Sequence, residues 1–401
     1  MLLDGAGLRG VFAWQNPFRP AAEGPGGARS GRVTILAANA SFPLDVELKA
    51  FCRAAAEPPG SPLIIQYSYN SLCLLGGRTA HLPAQAGAFH AALVLDHYVE
   101  ESGARYVAVA LDHFRVPPYP GPGGQAGSLA RRTARAAVDD ALEASRAVLG
   151  KVPDRELESY VTYLSSPAYA EFRREFGAVL SALGPAWAMI DTERLPPVLD
   201  FALTRDMIDF VRKDLGLIET MVEAEYGATG SAGESLDYVP LRGEALERFA
   251  DEVACFVAYT GADAVSYPIG MGHGALRAER HDPDSERLEA VQSRLLRAAG
   301  RYVPFCQHGG TGAARLALGL VGKNNVNTHF LVAGADALAD KVLAELDRIR
   351  AGAKDACGPG LYGAAVEAIQ AAAVDKLKEA RTYGTGPALA EFLSNHHPDV
   401  T

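Results

Sequence analysis

The stretch Phe305-Cys306-Gln307-His308-Gly309-Gly310-Thr311-Gly312 carries an apolar run straight into a histidine and then into a glycine-rich turn. The expected local structure is a buried strand, a tight turn and a helix from Ala313 to Val321. Glycine lets the backbone approach a ligand closely, and unsatisfied N–H groups at a helix start attract negative charge, so the stretch reads as a metal ligand set beside an anion site. A plain strand-to-helix connection has the same outline. What weighs against it is that three other expected strands end in similar chemistry.

Working outward, strands are expected at Val33–Ala37, Leu63–Ser68, Tyr106–His113, Ala186–Asp191, Leu217–Glu225, Ala264–Gly270, Tyr302–His308 and Lys323–Thr328. Helical patterns at Leu44–Ala56, Gln85–Glu101 and near 203–216, 243–260, 284–299, 312–321 and 330–350 separate them. Eight strands alternating with helices predict an α/β fold, a (β/α)8 TIM barrel. Residues 1–31, with Pro17, Pro20 and Pro25, are expected to form an N-terminal extension without long regular structure, and residues 32–400 a single barrel domain. Between His113 and Ala186 the chain is too long for a simple crossover. A Pro/Gly loop (Pro117–Gly127) and two helical patterns, Ser128–Leu149 and Asp154–Leu183, make a helical insertion of about 117–184. Such an insertion caps the active site, builds a subunit contact, or is a solvated excursion. C-terminal helices are expected over about 361–395, Leu361–Ala380 being the clearest, with a polar tail at Glu391–Thr401.

A formal net charge of -10 opposes nucleic acid and anionic membranes as partners, so a bound anion must be held by local geometry. Cys52, Cys73, Cys255, Cys306 and Cys357 are odd in number and scattered, which fits reduced core residues of a cytosolic protein. There is no basic start followed by an apolar run, and no apolar stretch reaches about 18 residues. A cytoplasmic location is therefore expected.

Barrel enzymes place their chemistry at the C-terminal ends of the strands. Here those ends carry Ser68, Asp112 with His113, Asp191, Glu225, His273, His308 and Asn325. Three histidines from three strands can converge on one ion, and neutral imidazoles suit zinc or a similar divalent metal with a position left open for substrate. Period-two alternation puts Glu219, Glu223 and Glu225 on one face of the fifth strand, costly unless paired or metal-bound; for Glu219 an internal ion pair is expected. Beyond it, the small-residue loop Gly227–Glu234 is suited to carrying an acid onto a bound substrate.

In order along the chain, Gln66-Tyr67-Ser68, Asp112-His113, Met189-Ile190-Asp191, Val222-Glu223-Ala224-Glu225-Tyr226-Gly227, Gly272-His273-Gly274, His308-Gly309-Gly310-Thr311-Gly312 and Lys323-Asn324-Asn325-Val326-Asn327-Thr328 resemble the class II, metal-dependent fructose-bisphosphate aldolase family, as a divergent member. The resemblance implies one zinc ion per subunit, or another divalent metal, held by His113, His273 and His308, with Glu225 a ligand at an alternative position or a support behind the ligands. It further implies reversible aldol cleavage of a ketose phosphate through an enediolate of dihydroxyacetone phosphate or a similar ketose. Glu234, with Asp237 as competitor, would be the loop base, and Asp112 the general acid/base at the oxygen of the bond made or broken. Asp191 would orient the polar network and Asn325 contact the enediolate. Gly274, Gly309, Thr311, Asn327 and Thr328 would bind a phosphate, with Arg277 adding charge, and Ser68 would line the aldehyde end. A homodimer or higher homo-oligomer is also implied.

Departures bear on substrate. Thr311 and Asn327 replace a serine and an aspartate, the loop reads Ser231-Ala232-Gly233-Glu234-Ser235, and Gly358-Pro359-Gly360 stands where the family carries Asp-Pro-Arg for a second phosphate. Fructose-bisphosphate is one candidate and a related sugar phosphate another. Competing functional readings are another metal-dependent barrel enzyme, an isomerase or hydrolase, and a non-catalytic relative.

Overall fold

Runs such as Leu63-Ile64-Ile65 and Val107-Ala108-Val109 are apolar at every position, the pattern of a strand covered on both faces. In the computed structural model, which describes residues 2–19, 32–41, 44–74, 82–121, 128–228, 238–272 and 282–396, eight such strands pair in parallel and close into a barrel. They are β1 Ile35–Asn39, β2 Leu63–Ser68, β3 Val107–Arg115, β4 Trp187–Asp191, β5 Met221–Glu225, β6 Ala264–Ser266, β7 Phe305–Gln307 and β8 Val321–Val326. Alternation splits each strand between two cores. Leu36, Ile65, Val109, Ile190 and Val222 pack outward under the helices, whereas Ile35, Ile64, Ala108, Trp187, Met221 and Cys306 fill the barrel. Further along the same strands, inward positions turn polar at Asn39, Gln66, Asp112, Glu223 and Asn325, all buried. The polar layer thus rests on an apolar floor.

That floor is closed by a segment expected to be irregular. Gly5–Gln15 is a helix, capped where Asp4 accepts from the Gly7 amide at 2.8 Å. Its first proline comes only at Pro17, and Leu8, Val11 and Phe12 repeat at helical spacing. They are buried, and Phe12 meets Trp187 with ring centroids 5.3 Å apart. Gly5 permits the close approach, since a Cβ there would lie 1.9 Å from the Glu219 carbonyl oxygen. At the other end of the chain, the helix Gly386–His396 runs through the expected polar tail because Leu389, Phe392 and Leu393 join the same base cluster.

Two further expectations fail locally. No helix forms over 313–321: Gly310–Gly312 is one 3-10 turn, and the chain then runs irregularly into β8. Gly319 has φ +84, which a helix excludes, and Val321 is drawn early into pairing with Phe305. β5 likewise begins at Met221, so Glu219 lies before the strand, exposed and 3.9 Å from Arg9. The internal ion pair belongs to Glu223 instead.

The segment after β3 folds as Ser128–Leu149, Asp154–Leu164 and Pro167–Leu183. Ser166, accepting from the Tyr169 amide at 3.2 Å, and Pro167 at the first helical position break the second pattern in two. Ser128–Leu149 packs on the helices Pro197–Asp209 and Glu244–Thr260 along the barrel flank. Cys52 and Cys306 are core residues, Cys73 and Cys255 are half-buried, and Cys357 is exposed. Among the described residues no helix is long and apolar enough to cross a membrane.

Candidate metal and substrate centre

Adjacent strand residues normally point to opposite faces, yet Asp112 and His113 both serve the barrel mouth. The β3–β4 register shifts between Leu111 and Phe114, and His113 takes φ +44. A bulge of this kind re-aims one side chain. Asp112 Oδ2 accepts from Asn39 Nδ2 at 3.0 Å and Gln66 Nε2 at 3.2 Å, and its Oδ1 from Asn325 Nδ2 at 3.3 Å. Three carboxamides from β1, β2 and β8 therefore hold one carboxylate in place.

Each histidine is backed by a carboxylate. His113 Nδ1 lies 3.1 Å from Asp191 Oδ2, and His308 Nε2 lies 2.9 Å from Glu223 Oε1. Glu223 is fully buried, but the Lys323 ammonium at 2.8 Å and His308 hold it well below the usual carboxylate range; Trp187 Nε1 donates to it at 2.8 Å. Asp191, also buried, is held low by His113 and by Arg115 at 3.2 Å. An ionised carboxylate only accepts, so the nitrogen facing it carries the proton. That leaves His113 Nε2 and His308 Nδ1 facing each other at 2.9 Å.

Two imidazole lone pairs at that separation require a positive charge. Burial opposes it, yet Asp112 and Asp191 outweigh burial and push His113 up to about 9. The ligating atoms of Asp112, His113 and His308 all lie within 4.8 Å of one another. A divalent metal fits this donor set, since the nitrogens are oriented from behind and converge in front. Glu225, buried on β5, falls outside that trio among the described residues, though its charge acts on His113. His273, Gly274, Arg277, Glu234 and Asp237 lie outside the described residues. Gly272, just before His273, packs against Gly309: a Cβ on Gly309 (φ +70) would lie 2.4 Å from the Gly272 carbonyl oxygen.

The anion side differs from expectation in its source of amides. With 313–321 not helical, the helix that starts beside this turn is Thr328–Ala344 after β8. Asn327 precedes it and accepts from Ser41 Oγ at 2.8 Å, while Thr311 Oγ1 accepts from the His329 amide at 3.3 Å. Gly309, Thr311, Asn327 and Thr328 are thus gathered by the β7–β8 turn and the next helix. Ser68 ends β2 and caps the short helix Tyr69–Cys73, its Oγ 2.8 Å from Ser71 Oγ.

Lys323, Asn39, Gln66 and Arg115 join the centre although no sequence motif assigns them a role there, and Glu223 enters it as the buried partner of Lys323 and His308. A lysine amid the inward alternation of β8 was the available signal for Lys323, because a buried ammonium demands a carboxylate.

The fructose-bisphosphate aldolase class-II family model matches residues 174–385, more than half of the chain. Among solved structures, the chain is similar to the YdjI aldolase from Escherichia coli K12, with TM-score 0.53 and 17% identity over 96% of this chain and 99% of that one. It is also similar to the fructose-bisphosphate aldolase of Campylobacter jejuni, with TM-score 0.59 and 16% identity over 96% of each chain. At such identities the likeness is one of fold.

Proposed function

Because the chain belongs to the class II fructose-bisphosphate aldolase family, we propose that it is a zinc-dependent aldolase that makes and breaks a carbon–carbon bond in a ketose phosphate, with dihydroxyacetone phosphate or a similar ketose as donor. The observation that carries this reading is the pair of carboxylate-backed imidazoles, His113 on Asp191 and His308 on Glu223, converging beside Asp112. His273 is proposed as the third ligand and Glu225 as a carboxylate supporting the ligands. A bound divalent cation supplies a Lewis acid that withdraws electrons from a ketose carbonyl and acidifies the neighbouring C–H.

The chain's own residues supply the rest. Glu234, or Asp237, takes the C3 proton from the loop after β5. Asp112, steadied by Asn39, Gln66 and Asn325, gives a proton to the aldehyde oxygen as the bond forms and recovers it on cleavage. Asn325 orients the enediol oxygens, and Asp191 fixes the His113 ring. Gly309, Thr311, Asn327 and Thr328, with Gly274 and Arg277, hold the donor phosphate at the start of the Thr328–Ala344 helix.

The test is metal content together with exchange of the C3 proton of dihydroxyacetone phosphate. Wild type should bind zinc and exchange; His308→Ala should lose both; Asp112→Ala should keep metal and lose mainly bond-making. Zinc without exchange would overturn the choice of donor and favour another metal-dependent reaction on the same barrel.

A further inference from the structure

Beside the centre, a cavity of about 810 Å³ opens between the end of β3 and the helix Pro167–Leu183. His113 and Asp191 line its inner end, and the inserted helix walls its outer end with Phe172, Glu171 and Glu175. This volume falls in the range of small-molecule sites. It is more than a three-carbon aldehyde needs.

We propose that this cavity is the acceptor subsite and that it selects an uncharged, hydroxylated aldehyde rather than a phosphorylated one. The proposal rests on the aldolase reading above and names the acceptor that reading leaves open. Its basis is charge and donor chemistry. Among the described lining residues, Arg115 is the one arginine or lysine, against four carboxylates, Asp191, Glu193, Glu171 and Glu175. That guanidinium is already held by Asp191 at 3.2 Å and Glu193 at 3.3 Å. A phosphate dianion entering here would meet four carboxylates, and the one arginine among the described lining residues is already engaged, a juxtaposition that selects against it. Sugar hydroxyls fit the same surface, because carboxylates accept their hydrogen bonds. Glu175 is set for this by Tyr69, whose hydroxyl donates to its Oε1 at 2.8 Å. Tyr69 and Phe172 add apolar faces for the C–H side of a carbon chain.

The experiment compares acceptors on the zinc-loaded enzyme with dihydroxyacetone phosphate as donor, using glyceraldehyde, erythrose and glyceraldehyde 3-phosphate, and reads proton exchange on the donor in parallel. The expected result is exchange, with kcat/KM for an unphosphorylated aldehyde at least tenfold above that for glyceraldehyde 3-phosphate. Glu175→Arg should lower the KM for glyceraldehyde 3-phosphate at least tenfold. Glu171→Lys, at an exposed position, should act in the same direction and serves if the first variant fails to fold. Exchange with an equal or greater kcat/KM for the phosphorylated acceptor would overturn the proposal and leave the aldolase reading intact. Absence of exchange would sink both.

Discussion

The centre contains the same triplet twice: imidazole, carboxylate, cation. His308–Glu223–Lys323 is sealed in the barrel, with Glu223 and Lys323 at 0% side-chain exposure. His113–Asp191–Arg115 opens onto the cavity, where Arg115 is 52% exposed. Sealing makes the first triplet an all-or-none structural unit, because none of its charges has water to fall back on. Opening the second leaves His113 and Arg115 within reach of a substrate. The Lys323 ammonium also stands 5.0 Å from the Trp187 ring centroid, so the sealed triplet is continuous with the apolar floor and the N-terminal helix beneath it. One histidine is fixed by the fold; the other is fixed by groups that also face the chemistry.

The largest effects are expected on the sealed side. Lys323→Met leaves Glu223 charged and uncompensated, and Glu223→Gln does the same to Lys323, so each should destabilise by about 3–5 kcal/mol in denaturant unfolding. The double variant should recover most of that stability while its metal affinity stays impaired, because His308 has still lost its anionic support. Single variants as stable as wild type would show that the pair is not a structural unit.

On the open side the order of effects should reverse. Asp191→Asn keeps the shape and a hydrogen-bond acceptor but loses the charge behind His113. Metal affinity measured by chelator competition should fall on the order of 10–100-fold, with a smaller stability change than either variant of the sealed pair. A larger stability loss than affinity loss would erase the distinction between the two triplets.

A third buried carboxylate, Asp200, has no cationic partner among the described residues. Burial pushes Asp200 up to about 8, with only the hydroxyls of Thr192 and Thr204 opposing it. The folded chain therefore holds a proton that the unfolded chain releases near the ordinary value of 3.8. Stability should fall as pH rises between about 4 and 8, by at most about 1.4 kcal/mol per pH unit from this group. Asp200→Asn should flatten that slope in unfolding midpoints taken across the window. An unchanged slope would mean that Asp200 is ionised in the fold.

Strands and strand-end residues were legible because uninterrupted apolar runs and period-two alternation survive in any (β/α)8 chain. The motif order carried the family as well. Other features depended on information that no local pattern holds. Prolines at 17, 20 and 25 argue against regular structure and mask the Leu8, Val11, Phe12 spacing, although all three follow the helix Gly5–Gln15. Gly-rich turns after a strand usually open a helix; this one does not, because β8 captures Val321 first. The positive φ of His113 is a consequence of the β3–β4 register, and the Glu223–Lys323 pair joins residues 100 positions apart. Both become visible only when the barrel closes.

Arg115 offers the smallest effect and the most selective one. Half-exposed ion pairs contribute about 0–1 kcal/mol, so Arg115→Met should leave unfolding within that range. Metal content should also hold, since His113 keeps Asp191 behind it. If Arg115 gripped an acceptor phosphate, its loss would remove charge-assisted hydrogen bonds and lower kcat/KM for glyceraldehyde 3-phosphate on the order of a hundredfold. An arginine already spent on Asp191 and Glu193 predicts less than tenfold, with unphosphorylated aldehydes affected no more strongly. A hundredfold loss confined to the phosphorylated aldehyde would instead make the open triplet a phosphate clamp, and the contrast between the two triplets would then lie in ligand charge as well as in solvent access.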